Sequence, residues 1–483
     1  MIGSDDVHVI GGGVAGLTAA ALLARDGARV TLYEHHNVPG GCAAFYQRDG
    51  YRFDVGATVV NGFGARGIHR RVFDALGVEL DAQPVDPAMV VHLPDARVTR
   101  YGDERWLAER RAIFGDAAEP FWRAQERIAD RVWSFAAGLP VLPVDLPSAL
   151  HLARIFRPEH LPLLAMQGRS IASLLPRDAS RRLRAFVDVQ LLITAQARAH
   201  DVDLAFGATA LDIAREGTYH LAGGISDIAT ALARAVRRHG GRIRYNTDVA
   251  RIHATRAGVE AIELRDGERI PARAVVAAIP YENVLAMLGR AVPPRLRTRQ
   301  RWGAVTAYVG VPDGVVPDDS VLHHQLVFDD AQPLGEGNSA FVSISGAGDR
   351  VRARGGGRAI TVSTHTDVNA WEDARAAGTL ETRKRAYAQR MRQAVERALG
   401  TRVDPVVFEL GTPFTFERYT LRHRGMVGGT PQTTTSANLR ARSHRTDVRG
   451  LVLCGDTAFP GQSTVGVTLS AINAARALGA ATV

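Results

Sequence analysis

The possible folds of this chain are narrowed first by its opening segment. Val7-His8-Val9-Ile10 runs straight into Gly11-Gly12-Gly13-Val14-Ala15-Gly16, followed by an alanine- and leucine-rich stretch from Leu17 to Arg25. A short apolar run of this kind forms a buried parallel strand. Gly11, Gly13 and Gly16 fit G-x-G-x-x-G. The first permits a tight turn, the second lets backbone approach a pyrophosphate, and the third lets helix and strand pack closely. The N–H groups and dipole at the start of the following helix then face the phosphates. Gly27 ends that helix, Arg29-Val30-Thr31-Leu32-Tyr33 forms a second strand, and Glu34 follows it. An acid there accepts both ribose hydroxyls of an adenosine and repels a 2′-phosphate, which disfavours NADP. The glycine motif alone also fits an ordinary strand-to-helix turn. Strand, turn, helix, strand and acid in this order predict a dinucleotide site.

A second glycine-rich stretch stands near the other end. Leu451-Val452-Leu453-Cys454 runs into Gly455-Asp456, then into Pro460-Gly461-Gln462-Ser463-Thr464-Val465-Gly466-Val467. It reads as the other half of the same site.

With 483 residues, 46% of them apolar, the chain can bury two or three domains. No apolar run approaches the roughly 18 residues of a membrane-spanning helix. The first strand begins at residue 7 with no secretory signal before it, so a cytoplasmic protein is expected. The two cysteines, Cys42 and Cys454, lie inside the glycine-rich motifs, form no disulfide framework and lack metal-ligand spacing. The net charge of +9 includes Arg295, Arg297, Arg299 and Arg301. No nucleic-acid module accompanies it. The excess is either a solvated arginine-rich surface or a bias toward anionic lipid.

Three segments read as pieces of the cofactor domain: 1–95, 215–290 and 445–483. In the second, Asp227 to Arg238 is amphipathic, with Ile228, Leu232 and Val236 on one face. Strands are expected at Arg242–Tyr245, Val249–Ile252, Val259–Leu264 and Ala274–Ile279, with Asp266-Gly267 as the hairpin turn. Residues 96–214 have a helical, apolar pattern interrupted by Pro140, Pro143, Pro147, Pro158 and Pro162. Such a segment is plain helical core, the lining of a greasy tunnel, or a surface that docks on a membrane. Residues 291–444 alternate like strands around Leu326–Phe328, Ala340–Ile344 and Ala359–Ser363, with a helix from about Glu381 to Leu399.

Val38-Pro39-Gly40-Gly41-Cys42-Ala43 and Gly50-Tyr51-Arg52-Phe53-Asp54-Val55-Gly56-Ala57-Thr58 resemble the flavin-dependent carotenoid desaturases and isomerases. So do Cys454-Gly455-Asp456-Thr457 and Phe459-Pro460-Gly461-Gln462. Further segments are similar to bacterial carotenoid 3,4-desaturases: Phe186–Leu191, Thr218–Gly224, Gly411–Pro413, Phe416–Thr420 and Arg424–Gly429. The resemblance spans essentially the whole chain. It implies an α/β fold, with a discontinuous Rossmann-type FAD-binding domain like that of flavin amine oxidoreductases and an inserted α+β substrate domain (96–214 and 291–444). FAD would be held by Gly11, Gly13, Val14, Ala15, Gly16, Glu34, Gly40, Gly41, Cys42, Gly56, Ala57, Thr58, Val249, Gly455, Asp456, Thr464 and Val465. Asp456 is either a phosphate and ribityl contact, a helix N-cap, or both. Much of the wider flavin amine-oxidase group has arginine after the Gly-Gly pair. Cys42 stands there instead, as in the carotenoid branch, and with nothing cationic flanking it in sequence it reads as a packing residue rather than a redox thiol.

The resemblance further implies oxidation of a C–C single bond of a polyene to C=C, with hydride passing to the flavin and a proton leaving the adjacent carbon. Cis–trans isomerisation on the same scaffold, using reduced FAD, is the alternative, as is a flavin oxidase or saturase of another lipophilic metabolite. Re-oxidation would fall to oxygen or a quinone. The expected partners are a lipophilic polyene and, peripherally, the inner face of the cell membrane. No metal site is expected, and no Ser-His-Asp order or glycosidase-like carboxylate pair is visible. The candidate catalytic residues are Asp188, His324 and Glu417, with Gln190, His323 and Arg418 as polar neighbours. Asp188 sits among apolar residues, where a raised pKa would suit a base. Each also has a structural alternative: a cap or pair for Asp188, a strand-start role for the histidines, and ion pairing for Glu417 and Arg418.

Overall fold

The computed structural model describes residues 6–297, 302–481 and 483. Arg299 and Arg301 lie outside these residues, as do the side chains of Arg295 and Arg297. A five-stranded, wholly parallel sheet carries the strands Arg242–Arg244, Arg29–Tyr33, Asp6–Ile10, Ala274–Ala277 and Leu451–Leu453, in that spatial order. Both ends of the chain therefore contribute to one sheet. The helix Val14–Arg25 packs between the helices Ser226–Arg238 and Thr464–Ala477. Leu17, Ala19, Ala20, Ala21 and Leu23 are fully buried there. The alanine-rich sequence follows from this placement, because small side chains let three helices approach closely.

Asp266-Gly267 does make a hairpin turn, but it leads into Arg269–Pro271. That short strand completes an antiparallel sheet with Val249–Thr255 and Gly258–Leu264. Ala274–Ala277 leaves for the parallel sheet, where its apolar run Ala-Val-Val-Ala suits burial on both faces.

The second large sheet has seven strands in the order Val407–Gly411, Trp302–Val311, Arg358–Asp367, Ser339–Ile344, His323–Val327, Met89–His92 and Arg97–Arg100. The boundary expected at residue 95 thus falls in the turn of a hairpin whose two strands both belong to this sheet. Its faces follow the two-residue period of a strand. Val305, Ala307, Val309, Val342, Ile360 and Val362 pack into a core with Trp371, Met391 and Val395 from the covering helices Val368–Ala376 and Leu380–Leu399. Ala304, Thr306, Tyr308, Phe341, Ser363 and His365 face the other way, into a cavity.

Residues 105–210 are mainly helical, with a core of Phe121, Trp122 and Phe186 against Trp106. Pro147 and Pro162 start helices rather than break them. Each sits in the first turn, of Leu146–Ile155 and Leu161–Ala165, where no intrahelical N–H is required. Among the described residues, no helix is long and apolar enough to cross a membrane.

Candidate functional site

The site is one cavity of about 1980 Å³ running from the glycine loops of the parallel sheet to the helical insert. Isolated small-molecule pockets are typically about 300–1,000 Å³, so there is room for two large ligands at once.

The dinucleotide end is built by the turns that the glycines allow. Gly11 has φ +99° and donates its N–H to the Tyr33 carbonyl (2.9 Å), which locks the first turn onto the second strand. A Cβ on Gly16 would stand 1.9 Å from the Gly11 oxygen, so the third glycine serves helix–turn contact. Gly40, at φ +124°, donates to the Gly12 carbonyl (2.8 Å) and brings the Gly40–Cys42 turn onto the first loop. Gly13 and Gly455 line the cavity. A Cβ on Gly13 would find only the Gly40 oxygen, at 3.9 Å, and one on Gly455 nothing within 4 Å. Both therefore hold open the space that backbone-to-phosphate approach needs.

Glu34 lies between two backbone donors. Gly12 N–H reaches its Oε2 and His36 N–H its Oε1, each at 2.7 Å. Burial raises its pKa, and these two N–H groups oppose the rise by favouring the charged form.

Every residue expected to hold the cofactor lines this cavity except Gly16, which packs as just described, and Val249. Val249 is buried in an apolar cluster with Ile10 and Tyr33. Asp456 is not a helix N-cap. Ser463, at φ +80°, caps Thr464–Ala477 by accepting from Gly466 N–H (2.9 Å), while Asp456 accepts from Arg422 Nη2 (2.7 Å). The same Arg422 lies beside Cys42, where its guanidinium works against the burial that raises the thiol's pKa. A cation does flank Cys42, then, but it arrives from a remote part of the chain. Cys454, fully enclosed, is pushed up to about 12 by burial and behaves as a packing residue.

The expected catalytic trio is not assembled. Asp188 is off the cavity wall. Its Oδ1 accepts the Ala199 N–H (2.8 Å), and burial raises its pKa. His324 is buried in the large sheet, bonded to His92 (3.1 Å) and to the Val321 carbonyl (2.9 Å), with its pKa lowered by burial to about 4. Glu417 is exposed, while its neighbours Arg418 and Tyr419 reach the cavity.

Other groups occupy the polar positions of the wall. Gln190 donates to Gln325 Oε1, and Gln325 donates to the Val189 carbonyl (2.6 Å). Gln196 Nε2 donates to His365 Nε2 (2.9 Å), and burial holds His365 near pKa 4, neutral at pH 7. Gln462 donates to the Ile193 carbonyl (3.3 Å). The Oε1 atoms of Gln196 and Gln462 have no protein partner. His323 reaches the wall indirectly: its Nδ1 bonds Ser343 Oγ (3.0 Å), which donates to Thr58 Oγ1 (2.7 Å). Strand alternation in 358–367 was the available signal for His365, and Gln462 stands inside the second glycine-rich stretch. Arg422 and Gln196 carried no local signal.

The apolar end is formed by Val141, Leu142, Leu152, Phe156 and Leu163, with Pro140. Among the described residues no group of three or more His, Cys, Asp or Glu is arranged to hold a metal.

The comparisons agree with this geometry. The flavin containing amine oxidoreductase family model matches residues 14–479. Prolycopene isomerase of Arabidopsis thaliana is 28% identical, covering 98% of this chain and 82% of its own length. Phytoene dehydrogenase of Streptomyces griseus is 29% identical over 67% of this chain and 63% of its own. Among solved structures, an engineered putrescine oxidase aligns with TM-score 0.63 at 17% identity over 98% of both chains. Cyclohexylamine oxidase from Brevibacterium oxydans aligns at 0.59 and 16%, over 99% of both. The glycine cradle, the acid at the second strand and the full-length match together place this chain in the flavin containing amine oxidoreductase family, as an FAD-dependent oxidoreductase.

Proposed function

We propose that the protein desaturates a C–C bond of a carotenoid or similar polyene, in the manner of the bacterial carotenoid 3,4-desaturases it resembles. The observation that carries this reading is the single cavity of about 1980 Å³ joining a dinucleotide cradle to an apolar end lined by Val141, Leu142, Leu152, Phe156 and Leu163. Bound FAD would supply a two-electron acceptor for the hydride. Gly11–Ala15, Glu34, Gly40–Cys42, Gly56–Thr58, Gly455–Asp456 and Thr464–Val465 would hold it. The helical insert and the cavity face of the large sheet would then enclose the polyene, exclude water and align the reacting carbons. We assign segments 1–88, 215–290 and 445–483 to the cofactor domain and the rest to the substrate domain.

In this reading the proton lost from the adjacent carbon passes to water at the cofactor end of the cavity, and no carboxylate is needed as a strong base. A polyene delocalises developing positive charge, and the neutral His365, held by Gln196, is one of the polar groups that face the cavity from the large sheet, with Thr306, Tyr308 and Ser363. Cis–trans isomerisation is the second reading. It is favoured by the match to prolycopene isomerases over 98% of the chain, where the desaturases match 56–67%. Anaerobic incubation of the holoenzyme with carotenes separates the two. A product lighter by two hydrogens, with bleaching of the flavin, supports desaturation. An unchanged mass with a shifted isomer peak supports isomerisation and overturns it.

The expected lipid partner also has a surface. Leu146, Leu150, Leu161 and Leu164 are 72%, 51%, 56% and 50% exposed, on the same two helices that line the apolar end of the cavity. Arg154 and Arg157 stand exposed beside them. We propose that this patch rests on a membrane and that the polyene enters beneath it.

A further inference from the structure

We propose that Arg422 is the cofactor-positioning cation of the dinucleotide end, acting at a place where the local sequence supplies only Cys42. The proposal rests on FAD being the bound dinucleotide and is independent of which substrate is oxidised.

Three remote segments meet at this point. Cys42 ends the Gly40–Gly41 turn, Asp456 follows Gly455, and Arg422 comes from the loop after the helix Pro413–Thr420. Leu421 and Arg424 both adopt left-handed backbone, at φ +52° and +56°, so the chain turns sharply on either side and carries the side chain inward. The Arg422 side chain is 13% exposed and lines the same cavity as Gly41, Cys42 and Asp456. It is held at two edges. Nη2 donates to Asp456 Oδ2 (2.7 Å), and Nε to the Met426 carbonyl (2.5 Å). A planar fork pinned in this way presents its remaining N–H groups in a fixed direction, which a lysine cannot do.

A cation at this end of the cavity works against a build-up of negative charge. A dinucleotide brings about two negative charges in its pyrophosphate, and the cradle already holds the carboxyls of Glu34 and Asp456. Helix N-terminal dipoles offer only about half a charge each. Without Arg422, Asp456 would be an uncompensated carboxylate facing an anionic ligand in a low-dielectric wall. With it, the Asp456 carboxylate is oriented and paired. Cys42 is close enough for its thiol to feel the guanidinium. An arginine placed at position 42 would therefore reach the same spot from the opposite side.

The test titrates FAD into flavin-stripped protein by fluorescence quenching and records the absorbance spectrum of the bound flavin, with the melting temperature of each apo form measured alongside. Arg422→Met is expected to bind FAD at least tenfold more weakly, with a shifted flavin spectrum. Arg422→Lys, which keeps the charge and loses the fork, is expected to fall between Met and wild type. The double variant Cys42→Arg/Arg422→Met is expected to return to within about threefold of wild-type affinity, although it does not restore the tie to Met426. The proposal is overturned if Arg422→Met binds FAD like the wild type with an unshifted spectrum. A Lys variant as weak as Met also overturns it, as does a folded double variant that regains nothing, because Arg422 is then only a loop brace. A wild-type protein that takes up no FAD at all would instead sink the cofactor assignment itself.

Discussion

Gly16 shows how little tolerance the cofactor turn has. Its missing side chain is matched by backbone, because a Cβ would meet the Gly11 oxygen at 1.9 Å and the Ala278 methyl at 3.0 Å. Neither is the free end of a flexible side chain, so the helix or the turn has to move. Gly16→Ala is expected to cost roughly 1–3 kcal/mol, as overpacking at a rigid contact does. The measurement is thermal unfolding with and without added FAD. A melting temperature within a degree of wild type in both would remove Gly16 from this role. Asp188 calls for the opposite expectation. Its carboxylate braces the Ala199 N–H outside the cavity, so Asp188→Asn should lower stability by about 1–2 kcal/mol and leave kcat within about twofold. A tenfold fall in kcat with unchanged melting would restore it as a proton acceptor. Its apolar sequence neighbours promised a buried acid, and the acid is half-buried. What they did not carry is the direction of the side chain on the helix Arg181–Ala195, where Gln190, Ile193 and Thr194 face the cavity.

At the scale of elements, the two short helices Leu146–Ile155 and Leu161–Ala165 have apolar residues on both sides. Leu152 and Leu163 face the cavity, while Leu146, Leu150 and Leu161 face outward. Each half-exposed leucine offers about 1 kcal/mol on entering the acyl boundary, and each nearby arginine about as much on an anionic surface. Leu146→Glu/Leu150→Glu is expected to reduce co-sedimentation with anionic vesicles at least fivefold, while turnover of detergent-dispersed substrate stays within about twofold. Equal sedimentation of the variant and the wild type would discard the patch. Elements with one clear period were legible from sequence: Asp227–Arg238 appears as the helix Ser226–Arg238, and Glu381–Leu399 as Leu380–Leu399. The first strand, helix and second strand, with Glu34 after them, also stand where the glycine spacing put them. Partnership was less legible. The hairpin Met89–Arg100 reads equally well as part of either domain, and only its parallel pairing with His323–Val327 assigns it to the large sheet. Arg422 and Cys42 meet for the same kind of reason, through tertiary contact that no local pattern encodes.

For the whole molecule, the buried histidines set an acid limit. Burial lowers His323 to about 3 and His365 and His444 to about 4, from an ordinary value of 6.5. His92, beside His324, is shifted the same way by burial and by its neighbour. The folded state thus keeps these rings neutral where the unfolded chain protonates them. Between roughly pH 6.5 and pH 4 the unfolded state binds more protons, so stability rises with pH. Their contribution is complete above about pH 6.5, is lost as pH falls through the window, and levels off below the folded values. A tenfold difference in proton affinity between folded and unfolded chain corresponds to about 1.4 kcal/mol, so several such rings together account for several kcal/mol. Buried carboxyls work against this. Asp54, Asp188, Asp203 and Asp212 are all raised by burial, so the folded state binds protons more readily there and gains stability on acidification. That gain sets in below each raised folded value and is complete by the ordinary value near 3.8, so it opposes the histidines within the same window. Between pH 7 and pH 5.5 the histidines should dominate. The melting temperature of the FAD-saturated protein is therefore expected to fall by several degrees over that interval and to stay level from pH 7 to pH 8. A flat profile, or a rise on acidification, would mean that the buried histidines do not outweigh the raised carboxyls over this interval.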